Sequence, residues 1–252
     1  MNDFIFLHGG GQGSWVWEDL VRELGLLSQG TARMFCLDVP GCGEKRGRDT
    51  SQTRIEDIVS ELIADIERAG IAPAMLVGHS QAGCILPFMA GRRPDLFSGV
   101  VYLTCSIPQE GRTVVEMIGD KPRATASADT VGWPCDPEET SFEERFRVMF
   151  CNDMEQAQAD AFLARLGSDQ WPMSSYMHCD WDVPAGHGLP VAFIVCLKDV
   201  VLPVEWQRRF AARFGADTLV EIDAAHQAMT TRPRELAEIL LDLAIAQQKQ
   251  VR

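Results

Sequence analysis

At 252 residues and 46% hydrophobic content, the chain can bury one full core and needs no second independent domain. A formal net charge of −13 argues against nucleic acid or an anionic membrane surface as the main partner, because both repel such a field. No apolar run reaches the roughly 18 residues of a membrane span, and no basic region with a long apolar stretch and cleavage site opens the chain, so a cytoplasmic location is expected.

Phe4 to Leu7 reads as a short buried strand that runs straight into His8-Gly9-Gly10-Gly11-Gln12-Gly13-Ser14. So many glycines cannot be helix or strand interior, and such a loop exposes backbone N–H groups. A phosphate-binding loop also follows a strand, but the spacing here matches neither of the common nucleotide fingerprints and no lysine follows. Ser14 to Leu27 is helical, Ala32 to Leu37 is a strand, and Asp38 to Gly43 is a turn. Arg54 to Ala69 carries Ile55, Ile58, Val59, Leu62, Ile63 and Ile66 on one stripe, the mark of an amphipathic helix.

The next apolar run, Ala74 to Val77, ends in Gly78-His79-Ser80-Gln81-Ala82-Gly83 before a helix over 81–91. A serine among small residues can be only a turn. Here the strand before it and the helix after it make it a nucleophile elbow, in which a sharp bend lifts the hydroxyl clear of the backbone. Ala82 replaces the commoner glycine, a difference of one methyl. In that arrangement the loop after the first strand and the residue after the serine each supply an N–H to an oxyanion, here Gly10 and Gln81.

Val100 to Leu103 is a further strand, ending in Thr104-Cys105-Ser106 with no carboxylate; the strand–helix alternation then stops. Residues 106–187 are expected to form an inserted helical cap on a core made of 1–105 and 188–252. The insertion holds Trp133, Trp171 and Trp181, with Phe142, Phe146, Met149, Phe150, Phe162, Met173, Tyr176 and Met177. Most of these pack cap onto core. The others give the cleft apolar, adaptable walls suited to a small or medium apolar acyl or alcohol group.

Val191 to Leu197 resumes the sheet, and Asp199 falls just past its end. After a helix over Pro203 to Phe214 and a strand over Leu219 to Ile222, His226 lies in a loop before a last helix, Arg234 to Gln247. An aspartate after a strand is usually a cap or a solvated turn. Here the order serine, carboxylate, histidine makes Ser80, Asp199 and His226 a candidate nucleophile, acid and base. A serine hydroxyl is a poor nucleophile near neutral pH, so an imidazole must take its proton while a carboxylate holds the imidazole in the right tautomer. Acyl transfer by that set requires no cofactor and no metal. His8 and His79 adjoin the other site residues as positioning groups, while His178 and His187 suit surface or cap roles. His178, Cys179, Asp180, Asp182 and His187 cluster in sequence, but their spacing fits no zinc signature. The eight cysteines show no paired spacing and read as reduced, mostly buried thiols.

With these residues in place, the chain resembles the α/β-hydrolase superfamily, and within it the plant methylesterases, the hydroxynitrile lyases and their bacterial esterase relatives. Phe4 to Trp17 and Phe193 to Met229 carry the narrower likeness. The resemblance implies a doubly wound, mostly parallel α/β sheet of about six strands, with the first two strands of the larger fold absent. Lyases of this branch place a threonine just after the histidine that opens the loop and a lysine just after the catalytic histidine. This chain has Gly9 and Gln227 there; Gly9 agrees with the esterases, and Gln227 matches neither. Gly9, His79, Trp133 and Gln227 are therefore the expected substrate contacts. The function expected is hydrolysis of small apolar or aromatic carboxylic esters or lactones through an acyl-enzyme. The alternatives are lyase or other acid/base chemistry on the same scaffold, and a non-catalytic binder that keeps it. Oligomeric state stays open, a homodimer being one option.

Overall fold

The computed structural model describes residues 3–167, 169–181 and 188–250. Six short strands, β1 (Phe4–Leu7), β2 (Met34–Leu37), β3 (Ala74–His79), β4 (Phe97–Leu103), β5 (Val191–Cys196) and β6 (Thr218–Ile222), pair in parallel in the order β2-β1-β3-β4-β5-β6. Strands β1, β3 and β5 are buried along their whole length, as continuous apolar runs require when helices cover both faces. Strands β2 and β6 form the two edges and are partly exposed.

Helices α1 (Glu18–Leu27), α2 (Ile55–Ala69) and α3 (Leu86–Arg92) belong to the first half. Between β4 and β5 lie α4 (Val114–Ile118), α5 (Phe142–Phe150), α6 (Gln156–Arg165) and α7 (Met173–Met177). Helices α8 (Val204–Arg213), α9 (Ala228–Thr231) and α10 (Pro233–Gln250) complete the chain. Alternation along β1 sends Phe4 and Phe6 to one face, where they meet Trp17, Leu20, Leu24, Leu236 and Leu240. Ile5 and Leu7 turn to the other and meet Ile58, Leu62 and Ile66 from the predicted stripe of α2. Each such side chain, fully removed from water, contributes about 2 kcal/mol before entropy is counted.

The topology itself locates a crevice. Strand β1 has β2 on one side and β3 on the other, so the chain leaves β1 and β3 in different directions and a gap opens at the carboxyl edge of the sheet. The segment between β4 and β5 sits over that edge and is fastened to the core at several places, including Asp169, Trp171 and Arg123. Asp169 accepts hydrogen bonds from Gly43 N (2.7 Å) and Trp15 Nε1 (3.1 Å) and pairs with Arg46. The ring of Trp171 meets His8 edge-on at 5.4 Å. Arg123 donates to the carbonyl oxygens of Val200 (2.8 Å) and Val201 (3.1 Å), just past β5.

Candidate active site

Strand β3 runs directly into a tight 3-10 turn, Ser80–Cys84, and α3 begins only at Leu86, so the helix predicted over 81–91 is split in two. Ser80 sits at φ +54°, an uncommon region for a residue with a β-carbon and the source of the sharp bend. The bend closes because its neighbours are small. A β-carbon on Gly78 would stand 2.5 Å from Leu86 Cδ2, and one on Gly83 would stand 2.5 Å from the Ser106 carbonyl oxygen. Ala82 is fully buried, its methyl 3.0 Å from where a Gly78 β-carbon would be, so one extra methyl fits opposite a glycine.

The three side chains that order alone singled out meet at the carboxyl edge. His226 Nε2 lies 3.0 Å from Ser80 Oγ, and His226 Nδ1 lies 2.7 Å from Asp199 Oδ2. Asp199 Oδ1 accepts from the backbone N–H groups of Val201 (2.7 Å) and Leu202 (2.9 Å), while Oδ2 also accepts from Thr104 Oγ1 at 2.5 Å. With a buried carboxylate on one side, Nδ1 carries the proton and Nε2 is left as the acceptor facing the serine. Desolvation weakens a buried carboxylate unless its oxygens are bonded, and here four donors hold it in place.

Ser80, Gly10, Gln81 and Trp133 all line one cavity of about 240 Å³. Ile118, Val131, Met149, Phe150, Val201 and Leu202 are among the side chains that make the rest of its wall mainly apolar. Its volume falls below the roughly 300–1,000 Å³ of drug-sized sites. The grooves of about 550 and 590 Å³ elsewhere on the surface are wider and polar and do not contain Ser80.

The other three expected contacts do not reach the cavity wall. Gly9 packs its loop onto the elbow, for a β-carbon there would stand 3.0 Å from both His79 Nδ1 and Ser80 Cβ. His79 is fully buried and its Nε2 donates to the backbone carbonyl of His226 at 2.9 Å, so it positions the histidine loop. Burial, and then the neighbouring His226, hold the His79 imidazole well below the usual histidine range and therefore neutral. Gln227 is fully buried too, and neither amide atom finds a hydrogen-bond partner among the described residues. Each of the three adjoins a site residue in sequence, but successive residues leave the backbone in different directions, and none of the three lines the cavity. His8 is likewise a positioning group: Val39 N donates to its Nε2 (3.2 Å), its Nδ1 donates to Gly9 O (2.8 Å), and burial lowers its pKa. His178 lies edge-on to Trp181 at 4.8 Å. His187 and Asp182 fall outside the described residues; among those described, no group of three or more His, Cys, Asp or Glu could hold a metal ion.

A family model described as "Alpha/beta hydrolase family" matches residues 4–239. The chain belongs to the α/β-hydrolase family. This α/β-hydrolase is 26% identical to a pyrethroid hydrolase of Sphingobium wenxiniae, over 98% of its own length and 89% of that relative's. It is 27% identical to polyneuridine aldehyde esterase of Rauvolfia serpentina, over 96% and 95% of the two chains. A crystal structure of a pyrethroid hydrolase from Sphingobium faniae shares the fold with a TM-score of 0.74 at 23% identity, covering 97% of this chain and 98% of that one. Likeness to both a bacterial hydrolase and a plant esterase agrees with the branch indicated by the Gly-rich loop and the His226 segment.

Two residues of this α/β-hydrolase escaped the sequence reading. Thr104, at φ +38° and fully buried, gives Asp199 a side-chain donor; its position just past β4 was noticed only for lacking a carboxylate. Arg123 comes from the irregular segment and clamps the backbone beside Asp199, a contact that no local pattern announces.

Proposed function

We propose that this α/β-hydrolase is a serine esterase that cleaves small apolar or aromatic carboxylic esters, lactones included, through an acyl-enzyme and without a cofactor. The hydrogen-bonded series Asp199–His226–Ser80, opening on an apolar cavity, carries the reading. Ser80 Oγ attacks the ester carbonyl carbon as its proton passes to His226 Nε2, and the carbonyl oxygen becomes an oxyanion held by the N–H groups of Gly10 and Gln81. The imidazolium, stabilised by Asp199, then protonates the departing alkoxide oxygen and leaves the acyl group on Ser80. Water repeats the sequence with His226 as base and releases the acid.

The segment 106–187 serves as the cap whose residues select the acyl or alcohol group, with Trp133 among them. Gly9 offers no side-chain hydroxyl and Gln227 no cation, which favours hydrolysis over a lyase step. All eight cysteines are free thiols, which suits a reducing, cytoplasmic setting.

A panel of p-nitrophenyl and methyl esters graded by acyl length and aromaticity, run beside lactones, tests this reading. Turnover should peak at short to medium apolar or aromatic acyl groups and fall once the acyl chain outgrows the cavity. Absence of turnover across the whole panel would overturn it.

A further inference from the structure

We infer that Tyr176 is a further catalytic residue, whose hydroxyl donates a third hydrogen bond to the oxyanion of the reaction proposed above. Three observations converge on it. Tyr176 lines the same cavity as Ser80, Gly10 and Gln81. Its hydroxyl stands directly against Gly10: a β-carbon on that glycine would overlap the Oη atom, and would lie 3.5 Å from both the Tyr176 ring carbon Cζ and Gln81 Cβ. The hydroxyl is thus against Gly10 and in the neighbourhood of Gln81, the two residues whose N–H groups are the proposed oxyanion donors. Finally, that hydroxyl has no hydrogen-bond partner among the described residues, so its proton is free for a bound substrate.

The chemistry gives this placement its meaning. A negative oxygen forming in a small, mostly apolar cavity has little water to solvate it, so each aligned donor counts for more than it would in solution. Burial pushes the phenol above its usual range, which keeps it protonated and a donor throughout the working pH range. Tyr176 transfers no proton in this scheme. Its O–H bond stays intact while the carbonyl π electrons move onto oxygen, and it releases its hydrogen bond when the tetrahedral intermediate collapses. The same contact accounts for glycine at position 10, since any side chain there would displace the hydroxyl.

The inference rests on the serine-esterase reading, and the test separates the two. For Tyr176→Phe, acylation by the best p-nitrophenyl ester should slow by roughly 10- to 100-fold, somewhat below the effect of a lone oxyanion donor because two backbone donors remain. Inhibition by a trifluoromethyl ketone, whose adduct with Ser80 carries the oxyanion, should weaken by the same factor, while inhibition by the matching neutral alcohol stays unchanged. Gly10→Ala should impair the wild type yet cost little more in Y176F, because the ring Cζ and Gln81 Cβ that would remain near the new methyl both stand at 3.5 Å, an ordinary contact. An unchanged acylation rate in Y176F, equal losses with ketone and alcohol, or additive effects of G10A and Y176F would overturn the role of Tyr176 alone. A wild type that neither turns over esters nor reacts with the ketone removes the esterase reading and this role with it.

Discussion

Ser80→Ala should lower ester turnover by roughly 10⁵- to 10⁶-fold while leaving the fold intact, measured as kcat against thermal melting of the same sample. The size of the loss follows from the unity of the group. Once the nucleophile is gone, His226 has no hydroxyl to deprotonate and Asp199 no imidazolium to stabilise, so only oxyanion donors and binding remain to accelerate attack by water. The fold should survive because, among the described residues, the only side-chain hydrogen bond of Ser80 is the one to His226 Nε2. Its backbone carbonyl, which accepts from Ser106 N at 3.2 Å, is retained in alanine. The left-handed φ of +54° is borne by serine and alanine alike. Melting should therefore move by a few degrees at most, and a large drop would mean that the serine is structural.

Asp199→Asn should cost roughly 10³- to 10⁴-fold in kcat, by a different physical route. The two backbone N–H groups of Val201 and Leu202 point at one carboxylate oxygen, so the amide carbonyl of asparagine takes that position. Its NH₂ must then face His226 Nδ1, which becomes an acceptor, and the ring proton moves to Nε2. In that tautomer the imidazole can no longer take the serine proton. Thr104 can turn its hydroxyl to accept from the new NH₂, which keeps the loop in place and makes the variant a test of tautomer and not of folding. Near-wild-type kcat in D199N would show that the carboxylate does not orient the base.

Much of this arrangement was legible because it depends on local chain geometry. The glycines around positions 9–13 and 78–83 could only be turns, and the strand that precedes each turn put Gly10, Ser80, Asp199 and His226 at one edge of a parallel sheet. What stayed hidden depends on packing at long range. Gly9, His79 and Gln227 flank site residues in sequence, yet successive side chains leave the backbone in different directions, and these three face the elbow, the histidine loop and the core. Tyr176 and Arg123 lie in a segment with no sustained period, so nothing in their own neighbourhoods tells which turns toward Ser80 and which toward Val200. Trp133 lines the cavity, and its indole N–H donates to Gly119 O at 2.9 Å, which leaves the ring to form wall. The boundary of the 3-10 turn and α3 shifted because Pro87 is tolerated in the first turn of a helix and not in its interior.

The most direct measurement is mass spectrometry of the enzyme after brief exposure to a fluorophosphonate, followed by peptide mapping. One adduct per chain is expected, on the peptide that contains Ser80, absent from S80A and formed far more slowly when His226 is replaced by alanine. An enzyme that takes up no label, or one labelled to the same extent after Ser80 is removed, would contradict the assignment of Ser80 as a nucleophile activated by His226.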